Sequence, residues 1–228
     1  DRRNIELAIA AFERALARDP GFALALAGLG EAYWRLYEVT KRHEWATKAE
    51  EIALEALEKG PAVAEVRITL GTIYLGRGKP ELAEREFRRA LELEPGNAAA
   101  YRGLAETYES GGDVAAAEST FLRAIAARPD DWEGHHELGL LFYRHGRFEE
   151  ALARFRRVVE IIPANALEHS NIGGIYAFLG QPDSAIGAYE ASIRLRPTAE
   201  AYSNLATLER SQARYEEAVA NYTRALSL

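Results

Sequence analysis

The residues best equipped for chemistry in this 228-residue chain are His135, His136 and Glu137, side by side in the string EGHHELG. A helix presents two metal ligands on one face when histidines stand four residues apart, whereas adjacent histidines face different ways. The string therefore reads as packing residues, and no metal site is expected. The run Gly76-Arg77-Gly78-Lys79-Pro80 carries the glycines and lysine of a phosphate loop. It lacks the hydroxyl residue that follows the lysine in that motif, and no strand pattern precedes it, so it reads as a turn. No serine, histidine and aspartate form a nucleophile set. The chain has no cysteine, which excludes disulfides, thiolate metal sites and thiol nucleophiles. No catalytic residue and no cofactor is expected, so the chain is not read as an enzyme. The remaining polar candidates are Asn171 and Asn204, within Ser-Asn-Ile-Gly and Ser-Asn-Leu-Ala. Asparagine is a mediocre helix former. Its amide offers an acceptor and two donors, enough to hold both N–H and C=O of an extended backbone.

The elements that must position these residues are written in the prolines. Pro61, Pro95, Pro129, Pro163 and Pro197 recur every 34 residues, and Pro20 lies 41 before Pro61. Pro80 and Pro182 each fall 15 residues before the proline that closes their period. Counted from Ala64, the seventh position is leucine or isoleucine and the eighth is small, as in Gly30, Gly71, Gly139 and Gly173. The eleventh is aromatic (Tyr33, Tyr74, Tyr108, Phe142, Tyr176), and the twentieth is alanine from Ala8 to Ala218. The twenty-fourth is aromatic again at Phe12, Phe87, Phe121, Phe155, Tyr189 and Tyr222. Apolar residues at i, i+3, i+4 and i+7 predict two antiparallel helices per period. The eighth and twentieth positions are expected to face each other where the two axes come closest. The aromatics should fill gaps between periods, so Tyr74→Ala or Phe121→Ala is expected to cost about 3–5 kcal/mol. The periodic prolines stop second helices, while Pro80 and Pro182 open them.

By this order of small, aromatic, small and proline positions, the sequence is identified as a member of the tetratricopeptide repeat (TPR) family over essentially its whole length. The resemblance implies an all-α fold, a right-handed α-α superhelical TPR solenoid forming a single domain over 1–228. A half repeat at 1–22, with its lone helix at about 4–18, precedes six helix-turn-helix repeats. These are expected at 23–63, 64–97, 98–131, 132–165, 166–198 and 199–228.

Three departures from the pattern carry information. Seven extra residues lie between Arg35 and Lys48 in the first full repeat, about two helical turns, which should add one turn to each helix. Trp34, Tyr37 and Trp45 then either pack on one another or stand out as an aromatic docking ridge. Glu209 occupies an aromatic position of the last repeat, which predicts an end that is loosely covered or meets a partner. The chain opens on half a repeat at Asp1 and stops at Leu228, before the expected proline turn. Solenoids need polar caps, so the expectation is a piece of a longer protein, or ends buried in another domain or subunit. The segment from Gly30 to Leu57 resembles TPR regions of bacterial multidomain signalling proteins, where the repeats follow a Ser/Thr kinase, cyclase or DNA-binding domain.

In the family, the second, fifth, sixth, ninth, twelfth and thirteenth positions line a concave groove. The resemblance thus points to Asn171, Asn204, His136, Leu140, Tyr143, Arg144, Phe178 and Arg210 as peptide-binding residues. In the TPR superhelix of O-linked N-acetylglucosamine transferase, a ladder of asparagines at the sixth position grips a peptide backbone. Only two rungs match here, because the earlier repeats have Gly28, Thr69, Gly103 and Glu137. The alternative is that both asparagines are solvated or satisfied between neighbouring helices. The carboxylate clamp of chaperone-binding TPR domains needs groove lysines that this chain lacks. Glu31, Glu65, Glu106, Glu109, Glu133 and Glu200 instead favour a ligand of basic or polar character, anchored on Leu140, Tyr143 and Phe178.

Composition sets the outer limits. A net charge of −7 lacks the electrostatic footprint of a general nucleic-acid binder. No run approaches the roughly 20 apolar residues of a membrane span, and no signal peptide opens the chain; a cytoplasmic location is expected. The function expected is a non-catalytic scaffold that binds a protein or extended peptide, as the interaction region of a larger bacterial signalling protein. The alternative is an architectural module that self-associates through open solenoid ends or packs on its own neighbouring domain.

Overall fold

The computed structural model describes residues 2–228, and among these the regular secondary structure is thirteen α-helices. The chain divides into two compact units, Asp1–Ala127 and Arg128–Leu228. The first holds α1 (Arg2–Arg18), α2 (Ala23–Thr40), α3 (His43–Lys59), α4 (Ala64–Gly76), α5 (Pro80–Leu93), α6 (Ala98–Ser110) and α7 (Val114–Ala127). The second holds α8 (Trp132–Arg144), α9 (Phe148–Ile161), α10 (Ala166–Phe178), α11 (Pro182–Leu195), α12 (Ala199–Ser211) and α13 (Tyr215–Leu226). Within each unit successive helices pack as hairpins, because short connections leave antiparallel neighbours no other arrangement.

The helix ends follow from local chemistry. From the third repeat onward, a polar residue just after each loop proline caps the first helix. The Asn97 and Asn165 side chains accept from the N–H groups of Ala100 and Glu168, and Asp131 accepts from Glu133. Thr198 does the same for Ala201, one residue closer to its proline, which shortens the last frame. Such caps satisfy N–H groups that the helix itself leaves unpaired. Pro80 and Pro182 stand in the first turn of α5 and α11, where a missing N–H breaks no bond.

The turns inside the hairpins reverse direction through a left-handed residue. Gly78, Gly112, Gly146 and Gly180 hold it at φ 69° to 83°, and Ala213 takes the same role at φ 58°. A Cβ disfavours this region by about 1–2 kcal/mol. Ala213→Gly is therefore expected to stabilise the last hairpin by about 1 kcal/mol, read as a higher denaturant midpoint and slower amide exchange in α12 and α13.

The small eighth position has a more specific cause than the closeness of two axes. A Cβ on Gly71, Gly139 or Gly173 would fall 2.9, 2.5 or 2.8 Å from the ring of Phe87, Phe155 or Tyr189. In these three repeats the twenty-fourth aromatic thus lies across its own glycine. Where that residue is Ala53, the added Cβ on Gly30 would instead meet the Ala49 carbonyl at 3.3 Å. The alanines of the twentieth position are buried from Ala49 to Ala218.

The insertion is absorbed asymmetrically. Helix α2 has 18 residues where α4 has 13, α3 has 17 where α5 has 14, and their connection is one residue shorter. The first helix takes most of the extra length. Trp34 does not join a raised ridge: it is 5% exposed and packs where a Cβ on Gly76 would lie 2.0 Å from its ring. Trp45 stacks on Tyr33, centroids 5.6 Å apart, and Tyr37 leans on Trp34 at 5.0 Å. The three residues pack into the hairpin, because lengthening α2 and α3 created a new apolar seam that needs filling.

Candidate functional site

In the unit Arg128–Leu228, α8, α10 and α12 surround a concave pocket of about 490 Å³. Its floor is made by Phe155 and Tyr189, both buried. Leu140, Tyr143 and Phe178 supply apolar walls, Asn171, Asn204 and Ser170 the polar ones, and Glu200 the single charge among the lining residues. Burial, with a smaller push from Tyr143, holds the Tyr189 hydroxyl above the ordinary tyrosine range. At the lip, Phe178 is 67% exposed; it stacks on Phe148 at 5.2 Å and meets Tyr143 edge-on at 6.0 Å.

The sixth position differs between the two units. In the first unit, Phe12 and Phe87 press on the sixth position of the following repeat, where a Cβ on Gly28 or Gly103 would come within 2.4 or 2.3 Å of the ring. Glycine is the residue that fits there. In the second unit the last two of these positions are Asn171 and Asn204, which share the pocket with the Phe155 and Tyr189 rings. Asn171 donates from Nδ2 to Glu168 Oε1 at 3.4 Å. The Asn204 side chain makes no hydrogen bond to the described residues.

Of the sequence-predicted set, the structure brings Asn171, Asn204, Leu140, Tyr143 and Phe178 to one pocket. Arg144 and Arg210 are exposed outside its lining. His136 is not in the lining either; its Nδ1 lies 2.5 Å from Glu168 Oε1, and its side chain is only 16% exposed. Burial works against a charged His136 ring, but the hydrogen bond and charge of Glu168, with Glu137 and Glu133, raise its pKa above the ordinary value. Its neighbour His135 is buried with Nδ1 unpartnered, and burial, with Arg154 and Arg157, lowers its pKa. The two histidines thus point to different faces, as the spacing argument requires, and their different neighbours shift their pKa values in opposite directions.

Sequence reasoning passed over Glu168, Phe148, Phe155 and Tyr189 as site residues. Glu168 left a legible signal: it holds the third position, which is Ala25, Val66, Ala100, Gly134 and Ala201 elsewhere. Glu209 also differs from its expected state. It is 4% exposed and accepts from Asn221 Nδ2 at 2.8 Å, so a polar partner replaces aromatic packing and the position is well covered. The loop Arg77–Lys79 is a turn whose cations are spent internally: Lys79 Nζ and Arg77 Nε reach Glu50 at 2.6 and 2.9 Å.

Among the described residues no group of three or more histidines and carboxylates is placed to hold a metal ion. No helix is long and apolar enough to cross a membrane. Models of the tetratricopeptide repeat match the sequence at 1–64, 68–131, 110–166 and 163–228. The chain belongs to the tetratricopeptide repeat family. A comparison with curated proteins gave no match. Among solved structures, a thermophilic TPR protein from Thermus thermophilus is 29% identical, covering 72% of this chain and 91% of that one, with a TM-score of 0.54. PilF of Pseudomonas aeruginosa is 25% identical over 72% of this chain and 75% of its own, at 0.61. A TPR protein from Parabacteroides merdae shares the fold over 100% of this chain and 88% of its own, with 17% identity and a TM-score of 0.65. TPR folds generally serve as non-catalytic scaffolds for protein interaction, and none of these likenesses indicates an enzymatic family.

Proposed function

We propose that the pocket of the unit Arg128–Leu228 holds an extended polypeptide segment, and that the chain is a non-catalytic binding scaffold. The observation that carries this reading is the exposed aromatic lip of Phe178, Phe148 and Tyr143 beside two asparagines in one concave pocket. A solvent-exposed phenylalanine stacked at the edge of a cleft is poorly spent on stability and well placed to anchor a ligand. The asparagine amides suit the polar backbone of such a segment. With Glu200 the sole charge in the lining, a basic residue beside an apolar anchor is the favoured ligand chemistry. We also propose, on the resemblance of Gly30–Leu57 to bacterial signalling TPR regions, that this scaffold serves within a larger cytoplasmic signalling protein.

Selection of random peptides on the immobilised chain tests the reading. Enriched sequences are expected to pair an aliphatic or aromatic residue with lysine or arginine. Tyr143→Ala with Phe178→Ala should weaken their binding by about tenfold or more at unchanged helicity. Absence of enrichment, or unchanged affinity in the double variant, would sink the proposal.

A second reading, self-association, is favoured by one feature. Helix α13 leaves Tyr215 64%, Val219 65% and Leu226 90% exposed, an apolar face that another surface would cover. Light scattering decides: a mass that rises with concentration and reverts in Val219→Glu supports it, and a constant monomer mass excludes it.

A further inference from the structure

We infer that Glu168 is a positioning residue for the pocket: clamped by His136, it turns Asn171 so that the amide oxygen faces the groove, and the protonation of His136 sets how strongly it does so. The inference rests on the peptide-binding reading for its use, while its geometry is independent of any ligand. Glu168 is fully buried in a position that other repeats fill with small or apolar side chains. A carboxylate in such a place persists only with hydrogen-bond partners and a counter-charge.

Both are supplied at one oxygen. Oε1 lies 2.5 Å from His136 Nδ1 and 3.4 Å from Asn171 Nδ2, while Oε2 has no partner among the described residues. A carboxylate only accepts, so the Asn171 group turned to it is the NH2, and the opposite end of the amide is the acceptor. Asn171 lines the pocket, so this rung offers its carbonyl oxygen to the ligand. Together with Glu200 it makes an acceptor-rich wall that selects a segment able to donate, through backbone N–H or a basic side chain.

The surroundings of His136 make the arrangement responsive to protons. Glu168 faces it from α10, Glu133 and Glu137 act from its own helix, and α9 presents the Phe155 ring at 6.1 Å. The Trp132 ring meets it at 5.7 Å. While His136 is charged, it neutralises Glu168 and the long bond to Asn171 is weak. When the ring loses its proton, Glu168 loses that neutralising charge, and Asn171 becomes the donor on which its Oε1 depends more strongly.

The test is a pH titration of the whole chain by NMR, following the His136 ring and the Asn171 side-chain amide together. The amide signals are expected to move with the midpoint of His136 and not with that of His169, whose Nε2 is 3.1 Å from the Pro163 carbonyl. In Glu168→Gln the His136 midpoint should fall and the Asn171 amide should stop following it. Glu168→Ala, with the residue native to three other repeats, should do the same and guards against misfolding of the first variant. Asn171 signals that ignore His136 in the wild type, or still follow it in both variants, overturn the inference. No peptide enters the experiment, so failure of peptide binding in the pocket would leave this coupling to stand or fall by itself.

Discussion

Phe87→Ala is expected to destabilise the unit Asp1–Ala127 by about 3–5 kcal/mol, among the largest effects open to a single truncation in this chain. The ring is 0% exposed and is gripped on two sides. It lies where a Cβ on Gly71 of its own repeat would come to 2.9 Å, and where one on Gly103 of the next would come to 2.3 Å. Losing the ring empties the seam inside one hairpin and the seam to its successor together, and two helix backbones held apart by one side chain relax poorly. The check is a denaturant midpoint with residue-resolved hydrogen exchange, which should show protection lost across α4, α5 and α6. The converse variant sharpens the argument. Gly103→Ala overpacks the same contact and should cost about 1–3 kcal/mol, but much less when Phe87 is already leucine. If the two costs simply add, the ring is not what excludes the side chain.

The second large effect concerns the buried pair of the other unit. His136→Leu should cost about 3–5 kcal/mol, because it leaves the Glu168 carboxylate buried without its counter-charge. The double variant His136→Leu, Glu168→Met should recover most of that loss, since a well-packed apolar pair replaces an ion pair at little net cost. The pH dependence has a definite sign. The folded-state pKa of His136 is raised, so its contribution is complete below the unfolded value of about 6.5 and is lost as pH climbs through the folded value. That of His135 is lowered, so its burial penalises folding below the same reference, and stability there rises with pH. The two windows lie on opposite sides of about 6.5, which lets one stability-versus-pH curve separate them. Above that reference the wild type should weaken with rising pH, and the double variant should lose that slope. A wild-type curve flat above the reference would contradict the pairing.

Much of the architecture was legible because solenoid repeats bury their residues by local rule. A side chain at a given position meets the same neighbours in every repeat, so Pro163, Ala151, Phe155 and Gly139 announced their roles by recurring at 34 residues. The long first repeat was legible for the same reason, as a defined excess over the period. What it became was less so: the number of added residues does not say that α2 takes more of them than α3, nor that Trp34 turns inward against Gly76. That depends on which surface the neighbouring helix leaves open.

The candidate site shows the division most clearly. The sequence alone determined the period, the hairpins, the aromatic and glycine positions, and the exclusion of thiol chemistry in a chain without cysteine. It also marked Asn171, Asn204, Tyr143 and Phe178 as positions outside the packing pattern. Tertiary structure decided that they share a pocket floored by Phe155 and Tyr189, that His136 turns from the groove to Glu168, and that Glu209 is held by Asn221. The physical reason is the range of the interactions. Packing positions repeat because each is set by contacts one period away, whereas a buried charge or a pocket wall depends on the particular side chain that the next repeat happens to place opposite.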